Sequence, residues 1–234
     1  MKKISIKILK EQKEPKEPKG NPQAPKVLIV GDSIAAGMVV VAHKEGIVNK
    51  PQCEGKHYFS CVTKTARGST YSDWALRRVR KYFASPENAR PANDKGIMII
   101  STGTNDALDI YGQAAKGKKS SKSPTKTARN ISRIIQLANA NGYETVFKPL
   151  GPYFPKGRTR RKRLQVFNKF AEELHKLIST KMLDVQLGEG DMRDVIHPNN
   201  AGSMKYLEAA EATRLSNIYD PNHPDYESGA DDPK

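Results

Sequence analysis

The sequence has little that would place it in a specialised class of protein. It contains two cysteines and one tryptophan in 234 residues, and aromatic side chains make up only 7% of the chain. No apolar run approaches the ~20 residues of a membrane helix. The opening segment also lacks the unbroken apolar stretch of a secretory signal. These absences argue against a membrane protein, and they predict cytoplasmic synthesis without a signal peptide.

The two cysteines, Cys53 and Cys61, lie eight residues apart in one segment. A disulfide between them is sterically possible, but without an export signal we expect two free thiols. Neither belongs to a zinc pattern, because no second cysteine pair or nearby histidine pair completes a tetrahedral set.

Acidic residues are scarce relative to basic ones, and the net charge is +15. Residues 1–26 contribute +5 and residues 217–234 contribute −4, so residues 27–216 carry +14. Much of this excess lies in two clusters, Lys116–Arg129 and Lys156–Arg163. We expect them to form a basic rim that attracts anionic substrates, unless they are simply solvated. No stacking aromatics interleave them, which argues against nucleic-acid binding.

Composition divides the chain into three parts. Residues 1–25 hold a Lys-Glu-Pro repeat with no apolar side chain to bury, which is typical of a disordered or adaptor arm. Residues 217–234 also lack periodicity and read as an acidic, flexible tail. Between them, residues 26–216 alternate apolar runs with amphipathic segments, which indicates one α/β domain.

Four short apolar runs predict the strands of this domain, over Lys26–Val30, Gly96–Ser101, Glu144–Lys148 and Met182–Leu187. Amphipathic stripes and stop signals predict helices over Ser72–Ala84, Pro124–Asn139, Arg161–Thr180 and Asn199–Leu215. Residues 42–65 and 107–125 are expected to be loops. The alternation is typical of a doubly wound parallel sheet, in which functional groups gather at the carboxyl ends of the strands.

Four short motifs fall in one order along the chain, and each contains residues that suit acyl chemistry. They are Gly31-Asp32-Ser33, Ala66-Arg67-Gly68-Ser69, Gly103-Thr104-Asn105-Asp106 and Asp194-Val195-Ile196-His197-Pro198. Ser33 directly follows the first strand, so its hydroxyl is expected at the carboxyl edge of the sheet. From position alone, Ser33 is equally well a nucleophile or a helix cap.

Each of the other motif residues likewise has one functional and one purely structural interpretation. His197 stands three residues after Asp194, whose carboxylate can reach Nδ1 and leave Nε2 free as a base; otherwise it is an ordinary loop histidine. Asn105 can donate to an oxyanion or close an Asx turn. Gly68 can present its N–H to the same oxygen or simply permit a turn. His175, within a predicted helix, is expected to be solvated.

Taken together, the four motifs resemble the SGNH, or GDSL-type, hydrolase superfamily over about residues 26–216. The resemblance implies a three-layer α/β/α sandwich of flavodoxin-like type, with a central parallel sheet of about five strands. It implies Ser33 as nucleophile, His197 as base and Asp194 as its partner. It also implies an oxyanion hole formed by the N–H groups of Ser33 and Gly68 and the side chain of Asn105. No metal or organic cofactor is required.

The resemblance therefore implies a serine hydrolase that cleaves carboxylic esters through an acyl-enzyme. Small acyl groups on sugars are a frequent target in the superfamily, so an anionic or acetylated glycan is the expected substrate, with lipase or thioesterase action as an alternative. A hypothesis of another class is a structural or adaptor component of a larger assembly, such as a phage particle. Residues 1–25 would then bind its protein partners.

Overall fold

The computed structural model of the protein describes residues 20–22, 24, 27–44 and 70–218. Within them lie four strands, β1 (Val27–Gly31), β2 (Gly96–Ser101), β3 (Tyr143–Phe147) and β4 (Lys181–Met182). Six α-helices accompany them: α1 (Ser33–Lys44), α2 (Ser72–Phe83), α3 (Thr104–Ala114), α4 (Pro124–Asn139), α5 (Arg160–Leu177) and α6 (Asn200–Ile218). None of these helices is long and apolar enough to cross a membrane.

The four described strands form one parallel sheet in the order β1-β2-β3-β4. Its core is β2, all six residues of which are buried, as expected for a strand covered on both faces. The described residues thus contribute four of the about five strands expected. Because all four run in the same direction, the segments that follow them share one edge of the sheet.

Two apolar clusters, one on each face of the sheet, show that the fold has three layers. Alternate residues of each strand point to opposite faces. Leu28, Val30, Met98 and Ile100 pack against helices α2 to α5. Ile29, Ile97 and Ile99 pack against α1 and α6 on the other side. The α/β/α sandwich predicted from the sequence is therefore confirmed.

Several element predictions differ from the structure. Residues 42–44, expected in a loop, belong to helix α1, and residues 217 and 218, expected in the tail, belong to helix α6. Residues 107–114, expected in a loop, belong to helix α3, whose Ala107 is buried in the larger cluster. Helix α5 ends at Leu177 rather than Thr180, because Ile178 is extended and buried against the same cluster. The last strand spans only Lys181–Met182, although Leu183 still donates its N–H to Phe147 O at 2.9 Å. Each difference reflects tertiary packing that local sequence does not encode.

A buried arginine attaches the segment before β1 to the domain. The side chain of Arg90 is fully buried, and its guanidinium donates hydrogen bonds to the carbonyls of Pro22 and Ala24 and to Asp94. Asn21 adds a backbone bond from its N–H to Ala89 O at 2.7 Å. Residues 20–22 and 24, assigned to the arm by composition, thus contact the folded domain. The rest of the arm, the tail beyond residue 218, Gly68, Cys53 and Cys61 lie outside the described residues.

Candidate active site

The turn that presents Ser33 begins at a position only glycine can occupy. Gly31 has φ +153°, and a Cβ there would lie 1.6 Å from Ser101 O on the neighbouring strand. Asp32 then donates its backbone N–H to Ser101 O at 3.0 Å. The Asp32 carboxylate accepts the N–H of Ile34 at 3.0 Å through Oδ1. This pair of bonds fixes Ser33 as the first residue of α1, at the carboxyl edge of the sheet.

A second tight turn carries Asp194 and His197. Asp194 Oδ1 accepts the backbone N–H groups of Ile196 at 3.0 Å and His197 at 2.9 Å. Partial burial acts to raise the pKa of Asp194, but these two hydrogen bonds and the imidazole hold it below its usual value. Arg193 donates its N–H to His197 O at 2.8 Å, which closes the turn at its base. The carboxylate is therefore an ionised acceptor beside the ring.

The two turns meet at the sheet edge. Ser33 Oγ lies 2.8 Å from His197 Nε2, and His197 Nδ1 lies 2.8 Å from Asp194 Oδ2 and 3.0 Å from Oδ1. A proton on Nδ1, held by the carboxylate, leaves the Nε2 lone pair directed at the serine hydroxyl. This arrangement of hydroxyl, imidazole and carboxylate can remove the hydroxyl proton and create an alkoxide nucleophile.

Asn105 lies on the same edge, in the first turn of α3 just beyond β2. Its Nδ2 donates one hydrogen bond to Thr70 O at 3.0 Å, which fixes the amide and leaves its second N–H available. The neighbouring Asp106 is buried and holds this region together. Its carboxylate accepts the N–H and hydroxyl of Ser72 at 2.9 and 3.0 Å and the hydroxyl of Thr127 at 3.2 Å. Helices α2, α3 and α4 are thereby joined around Asn105.

A comparison with known protein families identifies the family of the chain. The family model of GDSL-like lipases and acylhydrolases matches residues 29–205, which is most of the chain and includes both turns. The chain belongs to this family. It is accordingly an ester hydrolase.

The chain also aligns with solved structures at low sequence identity. A GDSL-like lipase from Bacteroides thetaiotaomicron is 17% identical, with a TM-score of 0.49 over 87% of this chain and 90% of its own. An acetylxylan esterase from Geobacillus stearothermophilus is 15% identical, with a TM-score of 0.44 over 82% and 94% of the two chains. No curated protein matches the sequence.

The GDSL-like hydrolase has a cavity of about 640 Å³ directly beside the serine and histidine. One wall comes from α1 and is apolar, with Ile34 and the half-exposed Val40. The other carries the Asn199 amide and the Arg193 guanidinium. Among the described lining residues, Arg193 is the only lysine or arginine, and no carboxylate is present. The cavity can therefore hold a short apolar group at one wall and a polar or anionic group at the other.

The two predicted basic clusters belong to the beginnings of α4 and α5 and the loops before them. The chain returns along both helices from the carboxyl edge of the sheet, so these helices begin on the side of Ser33. Part of the charge is already engaged. Lys122 lies 3.8 Å above the Tyr71 ring and 3.6 Å from Asp73, and Arg163 lies 5.3 Å above the Tyr111 ring. The aromatics missing from the clusters in sequence are supplied by other elements.

Sequence reasoning assigned no role to two buried charged residues at this edge. Asp32 is 2% exposed and Lys148, directly after β3, is 1% exposed. Burial raises the pKa of Asp32 to about 6 and lowers that of Lys148 to about 8, and their mutual attraction opposes both changes. Lys148 could have been identified from the sequence, because a lysine that directly follows a buried strand stands where functional groups gather.

The expectation that His175 is solvated is wrong. The ring is half-buried in α5, its Nε2 accepts the N–H of Leu150 at 3.0 Å, and it stacks edge-on against Phe147. Burial and the nearby Lys148 lower the pKa of His175. This histidine is a structural contact of the loop after β3. Within the described part of the chain, no group of three or more His, Cys, Asp or Glu side chains is arranged to hold a metal ion.

Proposed function

We propose that this hydrolase cleaves carboxylic esters with Ser33 as nucleophile, His197 as general base and Asp194 as the group that orients the imidazole. The observation that carries the proposal is the continuous chain of hydrogen bonds from Ser33 Oγ to His197 Nε2 and from Nδ1 to Asp194, each 2.8 Å long. These residues come from the two ends of the domain, 164 positions apart. Local structure alone gives no reason for them to meet.

The reaction would proceed in two halves. His197 Nε2 takes the Ser33 proton as Oγ attacks the ester carbonyl, and Asp194 stabilises the resulting imidazolium. The imidazolium then protonates the leaving alcohol, and an acyl-Ser33 ester remains. Water, deprotonated by the same imidazole, attacks that ester and releases the carboxylic acid.

Three donors would stabilise the tetrahedral oxyanion, namely the N–H groups of Ser33 and Gly68 and the side chain of Asn105. The hydrogen bond from Asn105 to Thr70 O supports this role, since a fixed amide needs no reorganisation as charge develops. Gly68 is proposed on the family resemblance alone.

We further propose that the substrate is a small acyl ester, in the first place an acetyl ester, of a carbohydrate. A short acyl group fits the apolar wall of the 640 Å³ cavity, and the exposed side chain of Asn200 at the other wall can bind sugar hydroxyls. Arg193 and the basic starts of α4 and α5 favour a glycan that carries anionic groups.

The test of the catalytic assignment is hydrolysis of p-nitrophenyl acetate by wild type, Ser33→Ala and Ser132→Ala. Ser132 is a partly buried serine on α4 and serves as the matched control. We expect loss of activity by about 10³-fold or more in Ser33→Ala and wild-type rates in Ser132→Ala. If Ser33→Ala remains active, the proposal is wrong. If wild type does not accept this ester, covalent labelling by a fluorophosphonate, present in wild type and absent in Ser33→Ala, decides the same point.

Substrate class is then tested by comparing kcat/KM for an acetylated uronic-acid oligosaccharide, p-nitrophenyl palmitate and a long-chain acyl thioester. The proposal expects the acetylated oligosaccharide to be preferred. A preference for either long-chain substrate would replace it by lipase or thioesterase action.

A further inference from the structure

A buried lysine at the candidate site has a loop as its main partner. Lys148 lies at the end of β3, where its Nζ donates to Pro149 O at 2.7 Å and to Gly151 O at 3.1 Å and sits 4.9 Å above the Tyr206 ring. A buried ammonium is costly unless it is paired and hydrogen-bonded. These carbonyls can satisfy it only while residues 149–151 keep their present path.

That path leads directly to the turn that carries Asp194 and His197. Tyr206 of α6 donates its hydroxyl to Gly151 O at 3.1 Å, so that oxygen is held from two sides. Further along, Phe154 donates its N–H to Val195 O at 2.8 Å. Val195 stands between Asp194 and His197. The bonds therefore run from the end of β3, through residues 149–154, to the Asp194–His197 turn.

Lys148 is also coupled by charge to the turn that carries Ser33. Asp32 binds Ile34 through Oδ1, while its buried Oδ2 has no hydrogen-bond partner. The Lys148 cation favours the ionised form of this carboxylate. Four other titratable groups among the described residues face this pair. The charges of His197 and Asp106 act on Asp32. The charge of Lys148 acts on His175, and the Tyr206 ring lies beneath the Lys148 ammonium.

We propose that Lys148 is a positioning residue of the active site, which holds residues 149–154 against the Asp194–His197 turn and balances the Asp32 carboxylate next to Ser33. It contacts no reacting atom. Its effect reaches the reaction through the geometry of His197 and the charge of Asp32. The proposal rests on the assignment of Ser33, Asp194 and His197 made above.

The main test replaces Lys148 by methionine, which keeps most of the volume and removes the charge and its donors. For p-nitrophenyl acetate we expect kcat to fall by about 10- to 100-fold while KM changes little, because misplacement of the base affects the chemical step. In Asp32→Asn/Lys148→Met part of the kcat should be regained, because no unpaired carboxylate remains.

A second readout does not depend on catalysis. We expect the amide hydrogen of Phe154 to exchange about tenfold faster in Lys148→Met than in wild type, while amides of β2 keep their protection. Lys95→Met is the control, because Lys95 stands at the opposite edge of the sheet, 3.9 Å from Glu144. It should change neither kcat nor exchange at Phe154.

The outcomes separate the two proposals. Unchanged kcat and unchanged Phe154 exchange in folded Lys148→Met would overturn the positioning role. Wild type that neither hydrolyses the ester nor is labelled by the fluorophosphonate, with faster Phe154 exchange in the variant, would reject the catalytic assignment and keep the loop contact. If Lys148→Met does not fold, Tyr206→Phe tests the same loop by removing only the hydroxyl that binds Gly151 O. Slower turnover with faster Phe154 exchange supports the proposal, and wild-type values for both overturn it.

Discussion

The buried carboxylate of Asp32 makes the stability of the folded protein depend on pH. Its pKa in the folded protein, about 6, exceeds the ordinary value of 3.8 because burial penalises the charged form. Between those values the native state binds the proton more tightly than the unfolded chain does. The stability that comes from this proton is present below pH 3.8 and is lost as the pH rises through 6.

We therefore predict that the free energy of unfolding of wild type, relative to Asp32→Asn, decreases as the pH is raised from about 4 to about 7. Urea unfolding at several pH values measures this difference. Asp73→Asn is the control of opposite sign, because Lys122 and Arg77 hold the pKa of Asp73 below its ordinary value despite partial burial. Its difference from wild type should stay nearly constant over the same interval. If the free energy of unfolding of wild type relative to Asp32→Asn rises over this pH range instead, the raised pKa of Asp32 is contradicted.

At the scale of elements, helices α4 and α5 both begin beside the site with cationic residues. Exposed charges of this kind attract a distant anion, and salt weakens that attraction because the Debye length falls from about 30 Å at 0.01 M to about 8 Å at 0.15 M. We predict that KM for an anionic acetyl ester rises severalfold over this range of ionic strength, whereas KM for a neutral acetyl ester does not. A salt-insensitive KM for the anionic ester would exclude steering by this rim.

The elements also show which parts of the structure were accessible from sequence. Strands β1 to β3 and helices α2 and α4 were predicted within a residue or two, because continuous apolar runs and helical stripes are local signals. Helix α3 and the short β4 were not, since their extent depends on packing against the rest of the core. The residues of the site also divide into those with a local sequence signal and those defined by tertiary contacts. Ser33, Asp194 and His197 follow from motif order, whereas Lys148 and His175 acquire their partners only through the loop after β3.

At the scale of the whole molecule, the described residues before β1 contribute to the stability of the domain. The carbonyls of Pro22 and Ala24 accept hydrogen bonds from the buried Arg90 guanidinium. A protein that starts at residue 26 leaves this cation with Asp94 alone, whereas one that starts at residue 20 keeps both carbonyls.

We predict that the shorter protein has a free energy of unfolding about 1–3 kcal/mol below that of the longer one, because a buried charged donor loses its acceptors. Urea unfolding of the two truncated proteins measures the difference. Arg90→Met in both backgrounds is the control, since without the guanidinium the truncations should differ much less. Equal stability of the two Arg90-containing proteins would show that this attachment contributes nothing.

The separation of Ser33 from His197 has a consequence for the order in which the protein becomes functional. Ser33 is synthesised before His197, 164 positions later, and before the helix α6 that packs against α1. Contacts between distant parts of a chain form late, because the intervening loop must first be closed. A nascent or truncated chain can thus display Ser33 before His197 is in place beside it. If the proposed assignment is right, such a chain should not hydrolyse esters until α6 has packed against α1.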